Sequence, residues 1–227
     1  MWKLTEWIGR IRARLGLQAT CSVQKVALDT SRRRIDFDLS CNASRLPYQH
    51  CAAPAQGVHD LLTLEWRHLD FFQFVAWLHA EVPRIVCSTC GKASQIDVPL
   101  AREGSGFTAL FEALALWLCQ ELPVRQAAAL LRCSDKQLWR RIEHYVSAAR
   151  KLEEMSQVSI VGIDETSLRK GQNYITVVYD LDLKRLLYSC EGRDHRTVVD
   201  FADDLKAHGG APAQIKDVCQ EMSAAYA

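Results

Sequence analysis

The sequence contains no long hydrophobic run. No stretch of eighteen uncharged apolar residues occurs, and charged residues interrupt the first sixteen positions. A membrane-spanning helix needs about 20 consecutive apolar residues, and a secretory signal peptide needs an uninterrupted apolar centre. We therefore expect no membrane partner, no signal peptide and a cytoplasmic location.

Closely spaced cysteines, internal repeats and low-complexity tracts are also scarce. Of nine cysteines, only Cys87 and Cys90 form a tight pair, so the pattern does not indicate a disulfide framework. The hydrophobic content of 48% is typical of globular proteins and not of disordered ones.

The chain as a whole has no charge excess of either sign, with a formal net charge of +1. Residues 1–36 and 125–151 each carry a net charge of +5, however, and residues 157–227 carry −3. Such a distribution suits a protein that contacts phosphates in one place and cations in another. Ordinary solvated surfaces would give the same counts, so charge alone does not establish nucleic-acid binding.

The N-terminal third predicts a helix followed by strands. Residues 4–15 place their apolar side chains on one helical face, and residues 26–41 predict a hairpin around Thr30-Ser31-Arg32. Ile35, Phe37 and Leu39 alternate with polar residues in its second arm, as in a half-buried strand. Further strands are predicted at residues 64–69 and 76–86.

Residues 107–149 predict three helices, the last two forming a helix-turn-helix. Pro123 suits the first turn of the second helix, and Ser134 with Gln137 forms a capping box that opens the third. Leu138 and Ile142 would then pack inward. The outward side chains suit contacts to base edges and phosphates: Lys136, Gln137, Arg140, Arg141 and His144. A helical hairpin with an unrelated basic surface would show the same pattern.

Cys87-Ser-Thr-Cys90-Gly91 has the spacing of a zinc knuckle, in which two thiolates come from one tight turn. Cys51 is a third candidate ligand, and Tyr48 stands where a fourth cysteine would complete a second pair. His50 or Cys41 are the nearest substitutes. We expect a weak or incomplete zinc site at Cys51, Cys87 and Cys90, with thiols that have lost their metal as the alternative.

Strands are predicted at residues 158–163, 174–179, 186–190 and 214–219, with a helix at 198–205. Asp164 ends the first of these strands, and Glu221 follows the fourth. If the two strands are neighbours, both carboxylates lie side by side and can share Mg²⁺. The alternative is that Asp164 caps a turn and Glu221 is a surface acid.

Several blocks of the sequence, in this order, resemble landmarks of the ISL3 insertion-sequence transposases. They are Trp66-Arg67-His68-Leu69-Asp70, Val82 to Cys87, Ala101 to Thr108, Gly162-Ile163-Asp164-Glu165, Tyr174 to Asp180, and Glu191-Gly192-Arg193. The resemblance runs from about residue 45 to 227.

The resemblance implies an α+β multidomain chain. The expected domains are an N-terminal helix and hairpin (1–44), a zinc-ribbon-like β domain (45–99), a helical helix-turn-helix domain (100–155) and the first strands and helix of an RNase H-like α/β DDE domain (156–227). The family cuts and joins DNA with three carboxylates and Mg²⁺. Asp164 matches the first carboxylate and Glu221 takes the place of a second, which is an aspartate in the family.

The family's third carboxylate would lie beyond Ala227. We therefore expect a truncated transposase that binds the inverted repeats of its element as double-stranded DNA and is inactive in strand transfer on its own. The alternative is a DNA-binding module that represses or competes with an intact transposase. An incomplete sheet edge would also favour self-association.

Overall fold

The computed structural model describes residues 21–41, 45–46, 56–95, 98–167 and 174–220. They form two compact units, one within residues 1–142 and one within residues 143–227. The predicted N-terminal helix and the positions of Tyr48, His50, Cys51 and Glu221 lie outside the described residues. No helix in the described ranges is both long enough and apolar enough to cross a membrane.

The first unit contains a five-stranded sheet in the order β1-β2-β6-β5, with β7 also paired to β6. A separate short pair, β3 with β4, lies between its hairpin and β5 in the chain. The seven strands are β1 (Cys21–Asp29), β2 (Arg34–Cys41), β3 (Arg45–Leu46), β4 (Gln56–Gly57), β5 (Asp60–Arg67), β6 (Val75–Val86) and β7 (Ala93–Gln95).

Alternation along the strands decides which face of this sheet is buried. Ile35, Phe37 and Leu39 of β2 are buried, which confirms the hairpin and its predicted period of two. Asp36, between them, lies on the other face and contacts Arg34 and the Nε2 of His79, each at 2.6 Å. The Arg34 side chain is the main cause that lowers the pKa of the Asp36 carboxyl.

The sheet joins two segments that the sequence patterns separate at residue 44. β2 pairs in parallel with β6 from Arg34↔Val75 to Ser40↔Glu81, so the hairpin and the later strands share one core. The physical reason is that an isolated two-stranded hairpin is marginally stable and its apolar face needs a cover. Residues from both segments line this core: Val23, Phe37, Leu39, Trp66, Leu78 and Val82.

Three helices complete the first unit: α1 (Ala109–Glu121), α2 (Val124–Leu131) and α3 (Asp135–Arg150), whose last turns belong to the second unit. Thr108 caps α1 by accepting a hydrogen bond from the Phe111 amide. The sheet holds this cap, because the amide of Thr108 donates to the Arg67 carbonyl at 3.1 Å. The helical core contains Phe107, Phe111, Ala127, Leu131 and Leu138.

The second unit contains a four-stranded sheet in the order β10-β9-β8-β11 and one long helix. β8, β9 and β10 are antiparallel, whereas β11 runs parallel to β8 after the α4 crossover. The elements are β8 (Ile160–Ser167), β9 (Tyr174–Asp180), β10 (Arg185–Glu191), α4 (His195–Ala207), a 3₁₀ turn (Pro212–Gln214) and β11 (Asp217–Gln220).

The predicted strands and helix of this unit are present, and the first and fourth strands are neighbours, which meets the condition set for bringing Asp164 and Glu221 together. Several boundaries differ by a few residues, and one of them affects the site: β8 continues three residues beyond Asp164 to Ser167. The extension pairs Glu165, Thr166 and Ser167 with the start of β9, because these residues gain ladder hydrogen bonds there. Asp164 therefore lies within a strand and not at its end.

Candidate nucleic-acid interface and carboxylate site

The turn between α2 and α3 is short and sharply defined. Arg132 ends α2 in the left-handed conformation, with φ of 55°, and the amide of Cys133 donates to the Ala128 carbonyl at 3.1 Å. Ser134 then precedes the first residue of α3. A left-handed residue with a hydrogen bond back to the last turn is a common way for a helix to stop, and here it lets α3 leave in a new direction.

The capping box at the start of α3 is confirmed. The Gln137 amide donates to the Ser134 Oγ at 3.3 Å, and the Ser134 amide donates to the Gln137 Oε1 at 3.0 Å. The side-chain carbonyl of Gln137 is therefore used by the cap. The side-chain NH₂ group of Gln137 is therefore the part that can donate hydrogen bonds to a ligand.

The outward face of α3 within the first unit is basic and also carries an aromatic residue. Leu138 is only 1% exposed and fixes the inner face. Lys136 and Arg140 are exposed one turn apart, so their side chains are neighbours on the helix surface. Trp139, beside them, is 56% exposed. His144 is also exposed, in the part of α3 that belongs to the second unit.

Arg141 does not point outward with Arg140, contrary to the sequence prediction. Its side chain is 12% exposed, and its Nε lies 2.9 Å from the Oε1 of Glu112. Its guanidinium stacks over the Phe107 ring at 5.0 Å. The physical reason is helical periodicity: Arg141 follows the buried Leu138 by three residues and falls on the same face.

Glu112 is a buried carboxylate on α1, with 1% of its side chain exposed. Besides Arg141, its partners come from the loop before α1: the Ser105 hydroxyl donates to Oε1 at 2.6 Å, and the Arg102 Nε donates to Oε2 at 3.2 Å. A carboxylate this deeply buried needs such partners, because removing it from water costs several kcal/mol. The arrangement joins α1, the preceding loop and α3.

A second group of charges holds the turn of the helix-turn-helix to the sheet. Arg132 forms an ion pair with Asp70 and donates to the Gln73 carbonyl at 3.3 Å. Asp70 also pairs with Arg67, which is 3% exposed and stacks over the Phe111 ring at 4.9 Å. Burial, and then the nearby Arg132 charge, lower the pKa of Arg67 to about 10.

His68 lies in the same junction and is buried. Its Nδ1 is 2.9 Å from the Oγ1 of Thr108, the residue that caps α1. Burial, followed by the charge of Arg67, lowers the pKa of His68 to about 4. A neutral imidazole nitrogen can accept the hydrogen of the Thr108 hydroxyl, so this contact favours the uncharged form.

Cys87 and Cys90 occupy the turn that joins β6 to β7. The Gly91 amide donates to the Cys87 carbonyl at 2.9 Å, and Gly91 has φ of 67°. The Thr89 amide donates to the Cys87 Sγ at 3.4 Å. This turn suits a metal-binding knuckle. Cys51 lies outside the described residues, and within the described ranges no three His, Cys, Asp or Glu side chains form a metal cluster.

Asp164 is exposed on β8 and directly follows the last described residue of this strand that pairs with β11. The last described pair between these strands is Gln220 with Ile163, and Asp164 is paired on its other side with Val177 of β9. Its Oδ1 accepts a hydrogen bond from the Glu165 amide at 2.8 Å. Glu221, the next residue in sequence after Gln220, lies outside the described residues.

Sequence patterns missed two residues of this region. Glu112 could have been found, because it is the only charge in the apolar run from Phe107 to Gln120. A lone carboxylate in such a run needs a basic partner, and Arg141 lies on the inner stripe of α3. Trp139 is harder to find, because an aromatic residue in a helix is more often part of the core.

Comparison with protein families gives three matches along the chain. A model described as the zinc-finger of transposase IS204/IS1001/IS1096/IS1165 matches residues 50–90. The helix-turn-helix domain of transposase family ISL3 matches residues 96–146, and the transposase DDE domain of the same family matches residues 161–227.

Curated relatives with similar sequences are also transposases. The chain is 31% identical over 152 residues to the transposase for insertion sequence element IS1557 of Mycobacterium tuberculosis, covering 65% of this chain and 33% of that protein. It is 24% identical over 194 residues to the transposase for IS1001 of Bordetella parapertussis, covering 86% and 47%. The chain thus spans between a third and a half of these relatives. No solved structure matches it.

Proposed function

We propose that this chain, which belongs to transposase family ISL3, binds the terminal inverted repeats of its insertion sequence through α2 and α3. One observation carries the proposal: Lys136 and Arg140 are exposed on α3, directly opposite the buried Leu138 and next to a three-residue turn between Leu131 and Asp135. A second helix presented in this way is the element that enters the major groove in helix-turn-helix proteins.

The proposed contacts divide by chemistry. Lys136 and Arg140 would contact phosphates or guanine edges, since both side chains only donate hydrogen bonds. Gln137 would contribute through its amide group, because its carbonyl oxygen is held by Ser134. His144 remains a proposed contact from the following turn of the helix.

A salt titration tests this proposal. The probes are a duplex with the inverted repeat that flanks the gene and a shuffled duplex of equal composition. Arg140→Ala should weaken binding to both duplexes and reduce the slope of log K against log salt by about 0.9 for each phosphate that the variant no longer neutralises. Lys206→Ala, which removes an exposed charge from α4, should leave the slope unchanged. Equal slopes for wild type and Arg140→Ala would contradict the assignment.

The carboxylates support a second candidate function, metal-dependent cleavage of DNA strands. The supporting observation is the parallel pairing of β8 and β11, whose last described pair, Ile163 with Gln220, directly precedes Asp164 and Glu221 in the sequence. Neighbouring strands of this kind are a suitable frame for two acids that act together. The sheet order also fits an RNase H-like arrangement, which is part of the proposal.

Asp164 and Glu221 would hold Mg²⁺, which supplies Lewis-acid stabilisation of the phosphodiester oxygens when bound. The Asp164 carboxylate fits this role because it is exposed to solvent and the neighbouring Glu165 amide orients its Oδ1. Zn²⁺ is the proposed ion for Cys87 and Cys90, whose turn directs an amide to the sulfur. The thiolates would hold the fold of the β6–β7 turn.

An end-labelled repeat duplex separates binding from cleavage. Nicking at the element end with Mg²⁺ or Mn²⁺ that disappears in Asp164→Ala would establish the enzymatic function. Specific binding without nicking is the outcome expected from the sequence, and it would also agree with the alternative of a repressor or competitor of an intact transposase. In that case Asp164→Ala should bind the repeat as tightly as the wild type.

A further inference from the structure

The buried ion pair between Glu112 and Arg141 has a role beyond holding two helices together. We infer that Glu112 is a positioning residue for DNA recognition: through Arg141 it fixes the rotation of α3 about its own axis, which directs Lys136 and Arg140 to the DNA. The inference rests on the proposed function of α3.

The chemistry of the pair suggests that stability alone does not require it. Glu112 lies among Phe111, Ala115 and the other buried residues of the helical core. Replacing a buried ion pair with apolar residues of similar volume is often neutral or stabilising. A carboxylate at this position therefore contributes something that an apolar side chain would not, and buried polar pairs are known to select one packing among several.

The geometry shows which property the pair can select. Leu138 and Arg141 are one helical turn apart on the inner face of α3, and both are held: Leu138 in the apolar core and Arg141 against Glu112 at 2.9 Å. Apolar packing tolerates a small slide or rotation of a helix. The ion pair with Glu112 and the stacking over Phe107 restrict where the Arg141 guanidinium can lie, and with it the rotation of α3. Two such points define the rotation of α3.

The carboxylate is itself fixed, so it can serve as a reference point. Its second oxygen accepts a hydrogen bond from Arg102, and its first also accepts one from the Ser105 hydroxyl. Ser105 Oγ additionally accepts a hydrogen bond from the Phe107 amide at 3.0 Å, which ties the loop to the start of α1. The Glu112 side chain therefore has little freedom to follow a turning α3.

A small rotation of α3 would matter for recognition. Turning a helix by about 20° moves a group about 6 Å from its axis by about 2 Å. Recognition contacts need side chains placed within about 0.5 Å. Phosphate contacts tolerate more displacement, because the attraction is sequence-independent and long side chains adjust. Removal of the pair should therefore reduce specificity more than general affinity.

Adjacent arginines provide the matched experiment. Arg140→Met and Arg141→Met remove the same charge from neighbouring positions, and each is measured on the repeat duplex and the shuffled duplex across a salt titration. Arg140→Met should reduce the slope by about 0.9. Arg141→Met should leave the slope unchanged and reduce the ratio of specific to non-specific affinity about tenfold. A slope reduced by about 0.9 in Arg141→Met, or an unchanged ratio, would overturn the inference.

A double variant separates positioning from folding. Glu112→Leu with Arg141→Met replaces the pair by apolar side chains, and tryptophan fluorescence in urea reports whether the unit remains folded. We expect a folded protein in which the ratio of specific to non-specific affinity is reduced about tenfold, as in Arg141→Met. Full discrimination by a folded double variant would show that the pair is structural only.

Binding of the wild type to the two duplexes shows whether a negative result contradicts the positioning role or the proposed function. If the wild type does not discriminate between the duplexes, the proposed function fails and the positioning role fails with it. If the wild type discriminates and Arg141→Met does so equally well, only the positioning role fails. Glu112→Gln, which keeps the shape of the side chain and removes its charge, should reproduce the reduced discrimination.

Discussion

Acidification should destabilise the first unit through a single buried histidine. His68 is 3% exposed, and its pKa is lowered to about 4 in the folded protein, first by burial and then by Arg67. In the unfolded chain the same group should titrate near its ordinary value of 6.5. Between these values the unfolded chain binds a proton that the folded protein does not.

The sign and size of the effect follow from this difference. Stability rises with pH wherever the unfolded state binds more protons, so the contribution of neutral His68 is complete above pH 6.5 and is lost as pH falls toward 4. One proton changes the free energy of unfolding by about 1.4 kcal/mol per pH unit, which gives on the order of 3 kcal/mol across the interval. Protonation of carboxylates such as Asp36, whose pKa is lowered from 3.8, would reduce stability at lower pH than His68 does.

Tryptophan fluorescence is a selective assay for this unit, because all six tryptophans lie within residues 1–142. Urea unfolding would be followed at several pH values between 7.5 and 4.5. His68→Gln should be less stable than the wild type at pH 7.5 and should lose less stability on acidification. His59→Gln, which replaces an exposed histidine, should retain the wild-type dependence. An equal loss of stability in His68→Gln and wild type would refute the assignment.

Three further results are expected. Asp70→Asn should lower the stability of the first unit by about 2 kcal/mol, because the buried Arg67 loses its carboxylate partner; an unchanged urea midpoint would contradict this. Gly210→Ala should destabilise the second unit by about 1–3 kcal/mol, because the new Cβ would lie 2.9 Å from the Met155 carbonyl oxygen. Thermal unfolding followed by circular dichroism checks this. The control is Gly106→Ala, whose Cβ would meet no atom within 4 Å. Tyr48→Cys should raise zinc affinity in a chelator competition, and no gain would exclude this position as a ligand.

Local sequence patterns were sufficient to predict those elements that are stabilised by residues close together in the chain. The Ser134–Gln137 cap was predictable because both partners lie within one turn of each other. The hairpin around Thr30 was predictable because alternation and turn chemistry agree. The strands and the helix of the second unit were predictable from their apolar runs, whereas the neighbouring positions of β8 and β11 entered the sequence argument only as a condition.

Features that depend on distant partners were not predictable in the same way. The parallel contact between β2 and β6 joins residues about forty positions apart, and no pattern within either strand specifies its partner. The extension of β8 beyond Asp164 depends on β9 in the same sense. Arg141 illustrates the most consequential case. It was predicted to point outward, and its buried partner Glu112 lies 29 residues away in the sequence.

The charge of the helix-turn-helix illustrates why composition overstates a DNA interface. Five basic residues lie between 125 and 141, but Arg132 is paired with Asp70 and Arg141 with Glu112. Arg125, Lys136 and Arg140 are the three others, and all are exposed. At about 0.9 per phosphate contact, this segment can contribute about 2.7 to the salt slope and not the 4.5 or so that the count of five implies. The two internally paired arginines instead hold the turn and the third helix. Under the proposed function, the basic segment would divide into residues that contact DNA and residues that orient those contacts.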